Sequence, residues 1–280
     1  MYKIVEKKEL NIQTVYMKIY APYVARKAKA GQFIIYRIDD KSERVPLTIA
    51  DYDRENKTVS IIFQKVGYST YKLAELNVGD EILDFVGPLG EASHFDGVKK
   101  ACVIGGGLGV AIAYPQAKAL SEQGCDVDII VGFRNSELII LKDEFESASK
   151  NIEIVTDDGS YGRKGFVTTA LTEKLSLGVN YDVVVAIGPL PMMKAVCDVT
   201  KPYEIKTIVS MNPIMIDGSG MCGGCRITVG GETKFACVDG PDFDGHLVDF
   251  NEAIKRTMTY KEKEQHMMQE HYCNLTGGNR

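Results

Sequence analysis

The spacing of the hydrophobic positions changes near residue 98. Before that point, apolar residues fall in short runs rich in Val, Ile, Phe and Tyr, and residues typical of turns separate the runs. This pattern predicts β-strands over 12–21, 32–38, 47–50, 58–63 and 81–86. A series of short strands of this kind indicates a small antiparallel barrel or sandwich.

After residue 98, short apolar runs alternate with longer stretches of helical spacing. We predict strands over 101–104, 127–133, 152–156, 182–187 and 207–211. The helices predicted around them cover 111–123, 142–149, 167–175 and 192–200. Alternation of strands and helices indicates a parallel, doubly wound sheet, in which ligands bind beyond the carboxyl ends of the strands.

The predicted fold class is therefore multi-domain, with an antiparallel β-barrel followed by an α/β doubly wound domain and a C-terminal cysteine loop. We place the barrel at 1–98 and the α/β domain at 99–212. A glycine-rich region with three cysteines follows at 213–250, and residues 251–280 form a C-terminal helix and tail. The helix is predicted over 252–271 and is highly charged.

Composition narrows the class of protein. The chain has 280 residues, 45% of them hydrophobic, and a formal net charge of −5, so no nucleic-acid surface is expected. We find no signal peptide and no apolar run of the ~18 residues that a membrane helix requires, and so expect a cytoplasmic protein with no membrane partner. Seven cysteines, unevenly spaced, do not suggest a disulfide framework, and Cys102, Cys125 and Cys197 are expected to be buried as small hydrophobes.

The chemistry of the chain is concentrated near Cys222, Cys225 and Cys237. Thiolates gathered in a glycine-rich loop are what an iron–sulfur cluster needs, because glycines allow backbone N–H groups to turn toward the sulfurs. Three thiolates leave a cluster one ligand short, and Asp217, five residues before Cys222, is well placed to be the fourth. The alternatives are that Asp217 only makes an Asp-Gly turn, with water or another group as fourth ligand, and that the cysteines hold structural zinc.

A glycine loop follows the first strand of the α/β domain. Gly105, Gly106, Gly107 and Gly109 permit a tight turn that points the next helix at a phosphate group, as a dinucleotide site requires. The match to G-x-G-x-x-G is imperfect, because Val110 stands at the third glycine position and no acidic residue ends the second strand. A plain strand-to-helix turn is the alternative.

Two further loops are expected at the same edge of the sheet. Asp157 and Asp158 follow the third strand, and Gly188, Pro189 and Met192 follow the fourth. Each could be an ordinary turn, because Asp, Gly and Pro are turn residues. Three such loops at one edge favour a ligand site.

Candidate anion-binding groups also occur in the barrel. Arg44 lies beside a predicted strand that carries Thr48, so its guanidinium could bind a pyrophosphate while the Thr48 hydroxyl meets the edge of a flavin ring. Gly67, Ser69 and Thr70 offer a glycine and two hydroxyls at a helix N-terminus, which is anion-binding chemistry. The alternatives are a solvated surface arginine and ordinary helix capping by Ser69 or Thr70.

Taken in order, these motifs resemble the ferredoxin–NADP reductase superfamily, over about residues 1–250. Within it the chain looks most like the electron-transfer subunits of NAD-dependent dihydroorotate dehydrogenase. The matching segments, before the cysteine loop, are Arg44-x-Pro-Leu-Thr48, Gly67-x-Ser-Thr70, Gly87-Pro-Leu-Gly90, Gly105-Gly-Gly-x-Gly109, Asp157-Asp-Gly-Ser160 and Gly188-Pro-Leu-Pro-Met-Met193. The family has four cysteines in its cluster loop, and Asp217 stands here in place of the first of them. In this departure the chain resembles the small subunit of NADH-dependent ferredoxin:NADP oxidoreductase, also called sulfide dehydrogenase.

The resemblance implies three cofactors. FAD would lie on the barrel, with Pro46, Leu47 and Phe63 joining the contacts named above; NAD(H) would bind the second domain, and a [2Fe-2S] cluster the C-terminal loop. We expect electrons to pass from NADH through FAD and the cluster to a larger flavin/iron–sulfur partner subunit, and we nominate no catalytic acid or base. Electron bifurcation would need a second flavin site, which the sequence does not show.

Two other interpretations stay open. One is an electron-transfer subunit of dihydroorotate dehydrogenase, and the other is a zinc-stabilised regulatory module with a nucleotide-binding body. Arg134 leaves the choice between NADH and NADPH open, since a guanidinium there could meet a 2′-phosphate. The charged C-terminal helix and the Met267-Met268 pair could help to bind a partner, or the helix could simply be solvated.

Overall fold

The computed structural model describes residues 1–149 and 151–266. Its first half is a seven-stranded antiparallel sheet in the order β6-β1-β2-β5-β4-β3-β7. The strands are β1 Tyr2–Glu9, β2 Thr14–Tyr20, β3 Phe33–Arg37, β4 Val45–Asp53, β5 Thr58–Gln64, β6 Glu81–Ile82 and β7 Asp84–Leu89. Two helices, α1 Pro22–Lys27 and α2 Tyr68–Glu75, cover this domain, whose buried side chains form one apolar core.

The second half is a seven-stranded sheet in the order β11-β10-β9-β8-β12-β13-β16, in which the last strand, Asp242–Asp244, comes from the cysteine region. Its parallel strands are β8 Lys100–Gly106, β9 Asp126–Phe133, β10 Asn151–Thr156, β11 Arg163–Lys164, β12 Val183–Ile187 and β13 Lys206–Ser210. The helices between them are α3 Gly109–Glu122, α4 Lys142–Ala148, α5 Val167–Ser176 and α6 Leu190–Thr200. Separate apolar cores fill the two faces of this sheet, as expected of a doubly wound fold.

The cysteine region adds an antiparallel hairpin, β14 Arg226–Val229 with β15 Glu232–Phe235. The short strand β16 Asp242–Asp244 then pairs antiparallel with β13, and α7 Phe250–Thr257 follows. Buried Cys225, Ile227 and Cys237 belong to the same core as α5 and α6. The cysteine region is therefore packed on the α/β domain.

Some elements differ from the sequence expectation. Strand β1 was not predicted because Ile4 is its one fully buried side chain and the rest is mostly charged. Helix α1 and strand β16 were also missed, since six and three residues carry too little periodicity to be recognised. The C-terminal helix was predicted as continuous over 252–271, but α7 ends at Thr257, a turn follows at 258–260, and helix resumes over 261–266. Residues 267–271, with Met267 and Met268, lie outside the described residues.

A polar junction joins the three parts. The Asp242 carboxylate in β16 accepts hydrogen bonds from Ser93 Oγ at 2.5 Å and from Gln116 Nε2 at 3.0 Å. Ser93 lies in the segment that leaves the barrel, and Gln116 lies on α3 with no exposed surface. Burial of its carboxyl group raises the pKa of Asp242 above its usual value, although the hydrogen bonds from Ser93, Ser210 and Gln116 oppose this shift.

Cys102, Cys125 and Cys197 are all buried, as predicted. Among residues 1–149 and 151–266, no helix combines the length and the apolar character needed to cross a bilayer.

Candidate functional site

Two glycine loops meet at the carboxyl edge of the parallel sheet. Strand β8 lies between β9 and β12, so the order in which strands are added reverses there, and the loops that follow β8 and β12 are neighbours at the edge where such folds bind ligands. Residues 105–109 and 188–192 form the two walls of this edge. We call these two loops the dinucleotide edge.

The loops of the dinucleotide edge are in direct contact. A Cβ atom added to Gly188 would lie 3.2 Å from Gly106 Cα, and one added to Gly109 would lie 2.7 Å from Gly188 Cα. Met192 fills the space above Gly106, where an added Cβ would collide with the Met192 sulfur. Gly107 is exposed with a φ of 56° and has open space around it, so its backbone is accessible to a phosphate. The glycines thus allow the two loops to pack closely and leave the Gly107 backbone accessible to a phosphate.

The third predicted loop lies further along the same edge. Asp157 N donates to Phe133 O at 3.0 Å, which ties this loop to the end of β9. Asp157 and Asp158 are exposed, and hydrogen bonds from Ser160 hold the pKa of Asp158 below its usual value. Arg134 is exposed; its backbone carbonyl accepts a hydrogen bond from Asp158 N at 3.3 Å, and its guanidinium makes no hydrogen bond or ion pair within the described chain. Sequence reasoning missed Asn135, whose buried Oδ1 has no partner among the described residues.

On the barrel, strand β4 has an uncovered face. It lies inside the sheet between β5 and β3, yet Val45, Pro46, Leu47 and Thr48 are all only half-buried. Val45 and Leu47 pack against the barrel core, and Pro46 and Thr48 alternate with them onto the other, partly open face. A partly open face beside a basic side chain suits a flat, partly charged ligand. We call residues 45–48 and 67–70 the flavin face.

The start of α2 is capped by its own residues. Thr70 Oγ1 accepts hydrogen bonds from the backbone N–H groups of Val66 and Gly67, both at 3.1 Å, and Ser69 Oγ donates to Glu43 Oε2 at 2.8 Å. The capping alternative for Thr70 therefore describes this structure. A Cβ on Gly67 would meet nothing within 4 Å, so the space above the helix start is open.

Phe63 differs from the other predicted flavin contacts. Its side chain has no exposed surface and belongs to the apolar core of the barrel. The alternation of β5 turns its ring inward. Phe63 therefore supports the barrel core and offers no surface to a flavin.

Arg44 lies at the boundary of the flavin face and reaches the cysteine region. Its Nε donates to Ile216 O at 2.8 Å, and Nη2 donates to Asp217 O at 3.3 Å. Sequence reasoning could not find these contacts, because the partners are more than 170 residues apart.

The cysteine loop brings two of its thiols together. Cys225 Sγ and Cys237 Sγ are 3.2 Å apart and both residues are buried, whereas Cys222 is exposed and its Sγ accepts from Gly224 N at 3.4 Å. Burial first, and then the neighbouring Cys225 thiol, raise the pKa of Cys237. A bound metal ion would reverse this effect by favouring the thiolate.

Asp217 organises the turn before the first cysteine. Its Oδ1 accepts from Ser219 N at 2.7 Å and its Oδ2 accepts from Cys222 N at 2.8 Å, which lowers its pKa. The Asp-Gly turn therefore forms, but a carboxylate has about four lone-pair positions and these bonds use two of them. Asp217 can hold the turn and still ligate iron.

The donor set fits an iron–sulfur cluster held by two pairs of ligands. Within the described residues, no three His, Cys, Asp or Glu side chains converge tightly enough to hold a single metal ion. A two-iron cluster takes two protein ligands at each iron, and Cys225 with Cys237, whose sulfurs are 3.2 Å apart, can form one such pair. Asp217 and Cys222 are joined through the Cys222 backbone and can form the other.

Family profiles match two segments of the chain. Residues 212–249 match the iron–sulfur cluster binding domain of dihydroorotate dehydrogenase B, and residues 103–198 match the oxidoreductase NAD-binding domain. The first profile describes an iron–sulfur site, not a zinc site.

Curated relatives match nearly the whole chain. An uncharacterised protein of Clostridium beijerinckii is 52% identical over 94% of this chain and 92% of its own. A dihydroorotate dehydrogenase B (NAD(+)) electron transfer subunit homolog of Thermotoga maritima is 42% identical over 94% of this chain and 93% of its own. The electron transfer subunit of Streptococcus mutans is 33% identical over 86% and 94%.

Solved structures agree with the fold. One chain of an NADH-dependent reduced ferredoxin-NADP oxidoreductase, studied for flavin-based electron bifurcation, superposes with a TM-score of 0.92 at 39% identity, over 97% of this chain and 98% of that one. The Amycolatopsis cytochrome P450 reductase, at 22% identity and a TM-score of 0.61, covers 73% of this chain and 66% of its own and shows the fold alone.

These findings confirm the predicted fold class, a ferredoxin-reductase-like barrel followed by an NAD-binding domain and a C-terminal iron–sulfur region. They identify an oxidoreductase subunit that uses NAD(H), FAD and an iron–sulfur cluster. The chain belongs to the family of dihydroorotate dehydrogenase B electron transfer subunits and their homologues.

Proposed function

We propose that this chain carries electrons from NADH, by way of FAD and a [2Fe-2S] cluster, to a larger flavin/iron–sulfur partner subunit of an NADH-dependent ferredoxin:NADP oxidoreductase. The observation that carries the proposal is the contact between Arg44 and the backbone of Ile216 and Asp217. Through this contact Arg44, next to residues 45–48, adjoins Asp217, one of the proposed iron ligands. Electrons that leave a flavin bound there have a short route to the cluster.

Each cofactor has its own residues in this proposal. Arg44 and the start of α2 hold the FAD phosphates, while β4 with Thr48 lies along the flavin ring. The dinucleotide edge, with Gly107 exposed and Asp157 and Asp158 further along, binds NAD(H). Asp217, Cys222, Cys225 and Cys237 hold the cluster.

Bound FAD supplies the conversion between two-electron hydride chemistry and one-electron transfer. The protein's part is to position the groups and to exclude competing reactions, so no side chain needs to act as a general acid or base. The close packing of Gly106, Gly188 and Met192 keeps the two walls of the dinucleotide edge fixed.

The surface around Cys222 supports a partner subunit. Met221, next to Cys222 in the chain, is 89% exposed, and Ile216, which lines the same groove as Cys222, is 50% exposed. Val238, which lies against Gly220 in the same loop, is 44% exposed. Exposed apolar side chains next to a redox centre suit a protein interface better than solvent. A cytoplasmic location belongs to this proposal as well.

The choice of partner rests on Asp217 and on similarity to the NADH-dependent reduced ferredoxin-NADP oxidoreductase chain over nearly its full length. A dihydroorotate dehydrogenase partner is the second candidate, favoured by the 42% identity to the Thermotoga maritima homolog. Purifying the native complex and assaying it anaerobically separates the two. NADH-dependent turnover with NADP and ferredoxin supports the first partner, and reduction of NAD by dihydroorotate supports the second.

A further inference from the structure

The cysteine loop contacts the barrel at Gly218 as well as at Arg44. Gly218, which follows Asp217, has a φ of 77° and lies against the barrel. A Cβ added to it would be 2.7 Å from Ile35 Cδ1 and 2.8 Å from Leu89 Cδ1. We call residues 216–218 the loop seat. The loop seat therefore contacts the barrel directly.

Arg44 contacts the loop seat with only part of its guanidinium. A guanidinium has five N–H donors in a planar fork. The bonds to Ile216 O and Asp217 O use Nε–H and one Nη2–H. Nη1 has no partner within the described residues, and Arg44 is half-buried beside the uncovered face of β4. One edge of the group therefore holds the loop seat while the other remains available to an anion.

The loop seat in turn positions the proposed ligands. Arg44 fixes the Asp217 carbonyl, and the Asp217 carboxylate accepts from the backbone N–H of Cys222. A displacement of the Asp217 backbone would move both members of this ligand pair together. The other pair, Cys225 and Cys237, would not be affected directly.

We propose that Arg44 is a positioning residue shared by FAD and the cluster, so that binding of either group stabilises the other. This inference rests on the proposed placement of the FAD pyrophosphate at Arg44. An anion on the free edge fixes the guanidinium, and the fixed guanidinium then holds the loop seat in the geometry that the cluster needs. Thermodynamic linkage requires the effect to be equal in both directions.

Lysine could not replace arginine in this role. An ammonium group is a point charge on a flexible stem, so it can attract a phosphate but cannot hold two carbonyls and an anion in one plane. Arg44→Lys is therefore expected to keep much of the FAD affinity and to lose the coupling. Arg37 offers a matched control on the same barrel, because its Nε is paired with Asp84 at 2.7 Å, away from the loop seat.

The experiment measures the coupling in both directions with full-length protein. The first readout is the rate at which a chelator removes iron, followed by visible circular dichroism, from cluster-loaded protein with and without FAD. The second is the Kd for FAD of cluster-loaded and cluster-free protein. For the wild type we expect iron loss to be roughly tenfold slower with FAD, and the Kd for FAD to be lower in cluster-loaded than in cluster-free protein, from hydrogen bonds made by a charged donor.

The variants then isolate Arg44. Arg44→Ala should lose iron faster than the wild type even without FAD, and FAD should give it no further protection. Arg37→Ala should behave as the wild type. Gly218→Ala, which disturbs the loop seat without changing Arg44, should weaken FAD binding only in the cluster-loaded protein. Thermal unfolding of each variant checks that the fold is retained.

Each failure has a distinct meaning. If Arg44→Ala weakens FAD binding but leaves iron loss from the flavin-free protein unchanged, the FAD assignment stands and the coupling is overturned. If it speeds iron loss while FAD affinity is unchanged, the placement of FAD at Arg44 fails, and the coupling fails with it. If Arg37→Ala and Arg44→Ala changed iron loss and the FAD Kd equally, the cause would be the loss of a positive charge and not the position of Arg44. This result would also overturn the coupling.

Discussion

The dinucleotide edge and the flavin face show two ways of making a cofactor site. At the dinucleotide edge the site is shaped by the backbone. Glycines let two loops touch, and an added Cβ at Gly106, Gly109 or Gly188 would collide with protein atoms. At the flavin face the side chains do the work, and Arg44, Ser69 and Thr70 are already bonded to protein groups. The first site is formed before its ligand arrives. At the second, Ser69 and Thr70 must exchange internal bonds for bonds to the ligand, whereas Arg44 keeps its bonds to the loop seat and offers its free edge.

The largest expected effect concerns the cluster beside the flavin face. Cys225→Ala removes a buried thiolate that lies 3.2 Å from Cys237, and nothing nearby can replace it, so most of the iron should be lost. Iron content per chain is the measurement. Cys197→Ala is the matched control, since Cys197 is also buried but packs against Gly245, and it should keep its iron.

A second prediction compares a closed glycine with an open one. A side chain at Gly109 would strike the Ile187 carbonyl and lie 2.7 Å from Gly188 Cα, so Gly109→Ala should destabilise the fold by about 1–3 kcal/mol. Reduction of bound flavin by NADH should also slow. Gly67→Ala meets nothing within 4 Å and should leave the unfolding free energy unchanged while weakening FAD binding.

If denaturant unfolding gave the same free energy for Gly109→Ala and Gly67→Ala, the contrast between a preformed edge and an open face would fail. If Gly67→Ala bound FAD as tightly as the wild type, the phosphates would not lie at the start of α2.

The third prediction concerns Asp217, which holds both its own turn and, in our proposal, iron. Asp217→Cys should keep a two-iron cluster with a shifted EPR spectrum and reduction potential, because one ligand changes from oxygen to sulfur. Asp217→Ala should make the cluster labile. Asp239→Ala is the control, because Asp239 also accepts a backbone N–H, from Phe235 at 2.6 Å, without being a proposed ligand. If the EPR spectrum and the potential were unchanged in both Asp217 variants, Asp217 would not be an iron ligand and its role would be limited to forming the turn.

The smallest expected effect is a pH dependence at the junction of the domains. The folded-state pKa of Asp242 is raised, so its contribution to stability is fully present below the unfolded pKa of about 3.9 and is lost as pH rises through the folded value. Relative to Asp242→Asn, the wild type should therefore lose melting temperature as pH rises from about 4.

Asp39, on the barrel surface, is expected to give the opposite dependence of stability on pH. Hydrogen bonding by Lys72 and Ser42 lowers its pKa to about 2, so its contribution is present above the unfolded value and is lost as pH falls toward about 2. Melting curves of Asp39→Asn and Asp242→Asn across pH should thus diverge from the wild type in opposite directions. Parallel curves would mean that the Asp242 carboxyl is not held in a buried environment.

Sequence alone predicted the parts that depend on local pattern. The strand–helix alternation after residue 98 and the glycine loops follow from periodicity and from backbone freedom, and the structure places them at one sheet edge. The seat of the cysteine loop on Arg44 and the junction at Asp242 could not be predicted, because each joins segments more than 120 residues apart. Phe63 shows the converse, since its residue type fitted a flavin contact but the strand turns it into the core.

The central claim is the order of transfer, from NADH to FAD, to the cluster and then to the partner subunit. The most direct test mixes NADH anaerobically with the native complex that carries Cys225→Ala and follows flavin bleaching and partner reduction in parallel. The account predicts bleaching at the wild-type rate and no reduction of the partner, because hydride transfer precedes the cluster. Reduction of the partner at the wild-type rate in a complex without the cluster would contradict it.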